Sequence, residues 1–437
     1  AGINVTASHN PKEYNGYKAY WTDGSQVTAP HDRNIIAEVE KITSIDQILS
    51  GANPGNITLL GEEFDEIYLN KVHTLSLSPE SVGKFHDMKI AYTPLHGAGV
   101  RLVPASLRKW GFTNVSLVEE QAVIDGNFPT VESPNPEERK TMAKAIELGS
   151  RLGADLVLAT DPDSDRIGVA LRNAKGEYVL LNGNQTLSLI MAYQLTRWSE
   201  LGRLDGKEFV VKTIVTSQMP NVMAAHFGVK CYDCLTGFKY IARIIRNNEG
   251  KATYIGGGEE SFGYLAGDFV RDKDAVSACS LVAEAAAWTR DTMGLTLYEW
   301  LQKLYVEFGF FREGLVSVVH KGMEGAAEIQ QMMVDYRADP PREIAGSPVV
   351  KINDFKLLES TDVRTGAKTP IEEEASNVLQ WFAADGTVVS VRPSGTEPKI
   401  KFYFGVRAEL ESVADFDRVE VGLDAKIETI KKELKLV

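Results

Sequence analysis

Cysteine is nearly missing from this chain: 437 residues contain three. That is too few for a disulfide framework and fits a reducing compartment, with cytoplasm as the expected location. No apolar run approaches the roughly 18 residues needed to span a bilayer, so no membrane partner is expected. An excess of positive charge is lacking as well. The formal charge is −13, which argues against a nucleic-acid partner, although one local basic pocket can still hold a small anion. Residues 1–6 show no basic start followed by an apolar core, so no secretory leader is read there. They form instead an apolar, β-prone run that enters a polar loop at once, as if the chain started inside a domain.

What is present is an ordinary globular mixture, 43% hydrophobic and 24% charged. The length exceeds what one core organises and gives a prior of about three domains. Short β-branched runs alternate with helical patterns, the mark of layered α/β domains. One unit is written twice, as strand 89–95, helix 100–110 and strand 114–118, then as strand 209–215, helix 219–227 and strand 229–235. Seams fall near 84–88, 181–184 and 308–313, which predicts domains at 1–85, 86–181, 182–308 and 309–437. The tail reads as α+β: strand 315–320, helix 326–336, a hairpin around 384–386 and a closing helix over about 415–436. Cys231 and Cys234 make a CxxC, but without a second pair they read as core thiols.

Five short segments concentrate chemistry. Thr6-Ala7-Ser8-His9-Asn10-Pro11 sets a hydroxyl beside an imidazole, with Lys18 just downstream. Such a serine carries a phosphoryl group only if a base or metal activates it; otherwise it bonds its own turn. Asp161-Pro162-Asp163-Ser164-Asp165-Arg166 follows an apolar strand and places hard oxygen ligands at alternate positions, a pattern suited to Mg²⁺ or Ca²⁺. It is no EF-hand, because Arg166 stands where that loop needs glycine and Arg172 where it needs glutamate. Three carboxylates held together without a cation would repel one another. Gly256 to Gly263 reads as a glycine-rich turn after strand 253–255, in which Glu259 and Ser261 have the chemistry to bond sugar hydroxyls. Lys239, near the start of a helix over 240–245, is unfavourable for the helix dipole unless an anion joins it. Arg392-Pro393-Ser394-Gly395-Thr396-Glu397-Pro398-Lys399, between strands 387–391 and 400–404, offers a guanidinium fork, hydroxyls and open amides, a cradle for a phosphate dianion or else a polar hairpin loop.

Taken in this order, TASHNP, DPDSDR, TGFK, GEESFG and RPSGTEPK resemble the α-D-phosphohexomutase family, most closely its phosphoglucomutase branch. The resemblance runs the whole length of the chain. It implies three similar mixed α/β domains, the first truncated, followed by an α+β domain of TATA-binding-protein-like fold. It implies that Ser8 is the phosphorylated nucleophile and a metal ligand beside Asp161, Asp163 and Asp165 on Mg²⁺, and that His9, Lys18 and Arg166 line the reaction centre. By the same resemblance Lys239, Glu259 and Ser261 contact the sugar, while Arg392, Ser394, Gly395 and Thr396 hold the phosphate that does not react. The implied substrate is a hexose monophosphate, glucose 1-phosphate and glucose 6-phosphate before the mannose or pentose phosphates, with glucose 1,6-bisphosphate as activator. The implied assembly is a monomer or small homo-oligomer. A lysine lowered in pKa by its surroundings would suit the proton transfer, and Lys18 is the candidate. Two rivals stand beside this reading: a sugar-phosphate sensor that never phosphorylates Ser8, and an aspartate-based phosphatase of the haloacid dehalogenase kind built on Asp161 and Asp163.

Overall fold

A computed structural model describes residues 1–49, 51, 54–319, 322–394 and 399–436. The chain divides into two compact units, one made of 1–212, 227–232 and 237–298, the other of 213–226, 233–236 and 299–437.

The first unit opens with the hairpin β1 (Gly2–Val5) and β2 (Tyr17–Tyr20), an antiparallel pair in which Asn4 faces Lys18. After it, α1 (His31–Val39) has no buried residue, and Ile3, Val5, Ile36 and Val39 all stand exposed. Burial begins with α2 (Glu62–His73) and α3 (Pro79–Lys84). The chain then builds β3 (Ile90–Thr93), α4 (Gly99–Trp110), β4 (Val115–Leu117), α5 (Ala143–Leu152), β5 (Leu156–Thr160), β6 (Ile167–Arg172) and β7 (Tyr178–Leu180). Their sheet runs β4-β3-β5-β6-β7; β3 is parallel to β4 and β5, while β6 and β7 return antiparallel. Every residue of β5 is buried, which is why Leu156 to Ala159, within the strand expected over 155–159, read as an apolar run.

The same plan recurs. Following α6 (Gly183–Glu200) come β8 (Glu208–Thr213), α7 (Met219–His226), β9 (Lys230–Cys234), α8 (Phe238–Asn248), β10 (Thr253–Gly258) and β11 (Tyr264–Ala266), with the strand order β9-β8-β10-β11. This matches β4-β3-β5-β6 position for position, so the two stretches of similar sequence do form one repeated unit. The dipeptide Asn182-Gly183, expected to mark a seam, starts α6: Asn182 accepts from the Gln185 amide in a capping box. One expectation is corrected here. Gly256, Gly257 and Gly258 continue β10 rather than turning, because a Cβ on Gly257 would lie 2.1 Å from the Val211 carbonyl oxygen of the neighbouring strand. The unit closes with α9 (Ala275–Met293), buried along most of its length around Trp288.

The second unit contains α7 of that repeat and most of α10 (Leu297–Phe308), then β12 (Phe310–Val319), α11 (Gly322–Ala338), β13 (Glu343–Ile344), β14 (Ser347–Asp354), β15 (Glu359–Asp362), β16 (Lys368–Pro370), β17 (Leu379–Ala383), β18 (Val388–Pro393), β19 (Lys399–Ala408) and α12 (Phe416–Glu433). Its antiparallel sheet runs β12-β19-β18-β17-β14-β15-β16. The expected strand over 315–320 starts earlier, at Phe310, because Phe310 and Phe311 pair in register with Ala408 and Arg407; His320 lies outside the described residues. The expected hairpin at 384–386 joins β17 to β18. Among the described residues no helix is long and apolar enough to cross a membrane.

Candidate active site

Ser8 sits at the tip of the β1–β2 hairpin with φ 55°, a left-handed value that few non-glycine residues adopt. The tip is held by its own groups: Thr6 N donates to Gly16 O at 3.0 Å and Ser8 N to Thr6 Oγ1 at 2.8 Å. The Ser8 hydroxyl donates to Asp161 Oδ2 at 3.0 Å and also meets His9 Nδ1 at 3.2 Å. Its one hydrogen being given to Asp161, the imidazole Nδ1 is the donor in the second contact.

Asp161 follows β5 directly, at the carboxyl end of a central strand, the usual ligand-binding edge of an α/β sheet. It is fully buried, and its Oδ1 accepts the amides of Asp165 and Arg166 at 3.0 and 2.9 Å, which curls the loop around it. One oxygen from each of Asp161, Asp163 and Asp165 lies within 4.8 Å of the others. Burial first, and then the charges of Asp165 and Asp163, hold the Asp161 carboxyl well above its ordinary range. Asp163 is held low: burial works upward, but the Lys18 ammonium together with hydrogen bonds from Lys18, Asp161 and Thr6 outweighs it. Asp163 Oδ1 and Asp165 Oδ1 are buried without a hydrogen-bond partner. Converging carboxylates with unspent buried oxygens fit a hard divalent cation, which takes oxygen ligands and neutralises their charge.

Lys18 Nζ lies 2.8 Å from Asp163 Oδ2 and 2.5 Å from Asp165 Oδ2. Its pKa is raised, not lowered as expected: burial pulls it down, but Asp165 and Asp163 outweigh that pull. The reversal comes from the carboxylates that the sequence assigned to the cation. Arg166 donates to Glu137 Oε1 at 3.0 Å, and burial of that guanidinium is outweighed by Asp161 and Glu137.

Glu259 follows β10 directly, as Asp161 follows β5. It is buried, burial raises its pKa, and its Oε1 accepts the Gly237 amide at 2.9 Å. The two loops are joined: Arg166 bridges to Gly263, and Ile167 N donates to Phe262 O at 3.0 Å. Ser261 is half-buried in the second loop. Lys239, in the first turn of α8, has the anion its position asks for in Asp32, 3.5 Å away. Ser8, His9, Lys18, Asp161, Asp163, Asp165, Arg166 and Glu259 are thus brought together through direct or shared contacts. In the second unit Arg392 closes β18 opposite Lys401, and Ser394 N donates to Lys399 O at 2.8 Å. Gly395 and Thr396, with Glu397 and Pro398, lie outside the described residues.

Sequence reasoning missed Lys273, whose ammonium is 3.2 Å from Asp165 Oδ2 and 3.1 Å from Asp272 Oδ1. Asp272 in turn accepts from Tyr20 and Gln26, both at 2.7 Å, and so ties the β2 side of the hairpin down. The alternation Arg271-Asp272-Lys273-Asp274 just before α9 is the signal that was available.

Models of the phosphoglucomutase/phosphomannomutase family match the chain in order: alpha/beta/alpha domain I at residues 1–46, domain II at 66–176, domain III at 182–308 and the C-terminal domain at 350–421. The phosphoglucomutase of Staphylococcus aureus (strain MRSA252) is 35% identical over 431 residues, which are 98% of this chain and 75% of that protein. Among solved structures, a phosphoglucomutase/phosphomannomutase family protein from Burkholderia thailandensis shares the fold at TM-score 0.64 and 18% identity, over 98% of this chain and 76% of that one. The open form of Paramecium parafusin, a phosphoglucomutase, matches at TM-score 0.62 and 16% identity, over 99% of this chain and 77% of that one.

Proposed function

Because this chain belongs to the phosphoglucomutase/phosphomannomutase family of phosphotransferase isomerases, we propose that it interconverts glucose 1-phosphate and glucose 6-phosphate through a phosphoserine at Ser8. The observation that carries this reading is the Ser8 hydroxyl set 3.0 Å from Asp161, within a converging triad of aspartates. Neither rival accounts for that pairing, since a sensor has no use for a serine at a cation site and an aspartyl phosphatase has no use for Ser8.

Asp161, Asp163 and Asp165, with an oxygen on Ser8, would hold Mg²⁺. Such an ion neutralises charge on a phosphoryl group in transfer. In the first half-reaction the 6-hydroxyl of glucose 1-phosphate attacks the phosphoserine. The bond from phosphorus to Ser8 Oγ breaks, a bond to the sugar oxygen forms, and the hydroxyl proton leaves to a base. Lys18, which faces Asn4 across the hairpin, is an ammonium held by Asp163 and Asp165, so we assign it that proton only in the state where a cation has taken over the two carboxylates and its amine is neutral. The resulting glucose 1,6-bisphosphate turns over, Ser8 Oγ attacks the phosphate at carbon 1, and the freed 1-hydroxyl regains a proton. His9, Arg166 and Lys273 supply positive or donor groups around the transferring phosphoryl. Glu259 and Ser261 are assigned to the sugar's 3- and 4-hydroxyls, and Lys239 to the same sugar. Arg392, Ser394, Gly395 and Thr396 keep the role their motif implies, binding the phosphate at rest. Positioning of this kind is where phosphoryl transfer gains most.

The test is a coupled assay of the purified protein with Mg²⁺ and a trace of glucose 1,6-bisphosphate, wild type beside Ser8→Ala, on glucose 1-phosphate and on mannose 1-phosphate. Loss of the nucleophile is expected to cost on the order of 10⁴-fold or more in rate. Equal rates for the two proteins would remove Ser8 from the mechanism, and a preference for mannose 1-phosphate would replace the substrate.

A further inference from the structure

The segment between β3 and α4, residues 94–98, supplies no ligand to the aspartate loop yet lies hard against it. Two successive residues there, Leu95 and His96, have φ 47° and 63°. Side chains other than glycine's rarely enter this region unless their surroundings impose it.

A hydrogen-bonded network imposes it. His96 Nδ1 meets Val123 O at 2.9 Å, and a carbonyl only accepts, so Nδ1 carries the hydrogen. The other ring nitrogen meets Thr130 Oγ1 at 2.8 Å, and that oxygen also accepts from Gln121 Nε2 at 2.9 Å. Gln121 Oε1 accepts from the Thr93 hydroxyl at 2.7 Å, and Gln121 O accepts the His96 amide at 2.9 Å. His96 and Gln121 are themselves buried.

The backbone fixed in this way presses on the loop that carries the aspartates. Ala98 N donates to Pro162 O at 2.8 Å. A Cβ on Gly97 would lie 2.3 Å from Pro162 Cα, and one on Gly99 would lie 2.5 Å from Thr160 Oγ1 and 2.9 Å from Ser164 Oγ. Pro162 and Ser164 are the two residues that space the three aspartates. The 93–99 segment therefore meets the aspartate loop as a mould meets a casting, with glycine where any side chain would displace it.

We propose that His96 and Gly97 are positioning residues that set the spacing of Asp161, Asp163 and Asp165 for a divalent cation, an inference that rests on the cation reading made under Proposed function. Mg²⁺ demands near-octahedral oxygen geometry at roughly 2.0–2.1 Å, so a shift of Pro162 by a few tenths of an ångström is enough to weaken its binding. Residues that orient metal ligands from behind typically alter affinity by about 10- to 100-fold.

The experiment is calorimetric titration of Mg²⁺ into the intact protein, with folding followed by circular dichroism. Gly97→Ala and His96→Leu should each weaken Mg²⁺ by about 10-fold or more. His96→Asn keeps a donor for Val123 O and is at ease at positive φ, so it should stay within about 3-fold of wild type. Leu148→Ala, a core truncation in the same domain, should lower the melting temperature and leave Mg²⁺ affinity where it was. Folded Gly97→Ala and His96→Leu proteins that bind Mg²⁺ as wild type does would overturn the inference alone. So would a Leu148→Ala protein that binds as weakly as they do. A wild-type protein that takes up no Mg²⁺ would overturn the cation reading and this inference with it.

Discussion

The loops after β5 and after β10 occupy the same place in two copies of one unit, and each begins with a buried carboxylate raised by its burial, Asp161 in one and Glu259 in the other. They differ in how that charge is balanced. Asp161 is joined by two further carboxylates, and the cations that meet them come from distant segments, Lys18 from the hairpin and Lys273 from the start of α9. Glu259 is balanced within its own repeat by the Gly237 amide, with Lys273 and Arg166 nearby. Topology thus gives a carboxylate at a strand end, and the partners recruited to it differ; under the proposed function that difference would separate a loop for a metal and a phosphoryl group from a loop for neutral hydroxyls.

Three substitutions bear on that contrast. The largest effect is expected from Asp163→Asn, which removes a proposed cation ligand and one of the two carboxylate partners of Lys18; turnover should fall on the order of 10³-fold with Mg²⁺ affinity falling in parallel, read by steady-state kinetics and titration. Glu259→Gln keeps an acceptor for the Gly237 amide and removes only the charge. It should lose about 10- to 100-fold in kcat/KM, mostly through KM, with Mg²⁺ affinity unmoved. If Glu259→Gln weakened Mg²⁺ as Asp163→Asn does, the division of labour between the two loops would be wrong.

The smallest effect concerns stability and pH. A carboxyl raised in the folded state holds its proton more tightly there than in the unfolded chain, so its contribution is full below the ordinary carboxylate range of about 4 and is lost as pH rises through the raised value. Asp161 is raised in this way, first by burial and then by Asp165 and Asp163. In EDTA the wild-type protein should therefore lose thermal stability as pH rises above the ordinary carboxylate range, and Asp161→Asn should lose less. Melting curves at pH 5 and pH 8 that run parallel for the two proteins would separate Asp161 from the effect.

The parts of the site that could be read in advance are those whose chemistry is packed into a few consecutive residues. Ser8-His9 and Asp161 to Arg166 each carry their polar groups within one turn of chain, and the alternating strand and helix patterns around them were strong enough to reveal the repeat. What escaped was supplied from afar. Lys273 reaches Asp165 and Glu137 reaches Arg166 only after the chain folds back; the charge alternation around Lys273 was a weak local sign, and nothing local marks Glu137. Lys18 was located but its electrostatics were misjudged, because burial and carboxylates pull in opposite directions and only coordinates show which prevails. Gly256 to Gly258 were taken for a turn since glycine most often marks one; the close approach of β8 is the reason they lie in a strand.

The hairpin that carries Ser8 is followed by a helix without a single buried residue, and it is fastened to the rest of its unit by polar contacts to Asp161, Asp163, Asp165 and Asp272. A segment attached in that way opens at a lower free energy than α6 or α9, which are sunk in the core. Activity is therefore expected to fall at a lower urea concentration than the circular dichroism signal, and to return on dilution; coincident transitions would show that the hairpin opens only with the core.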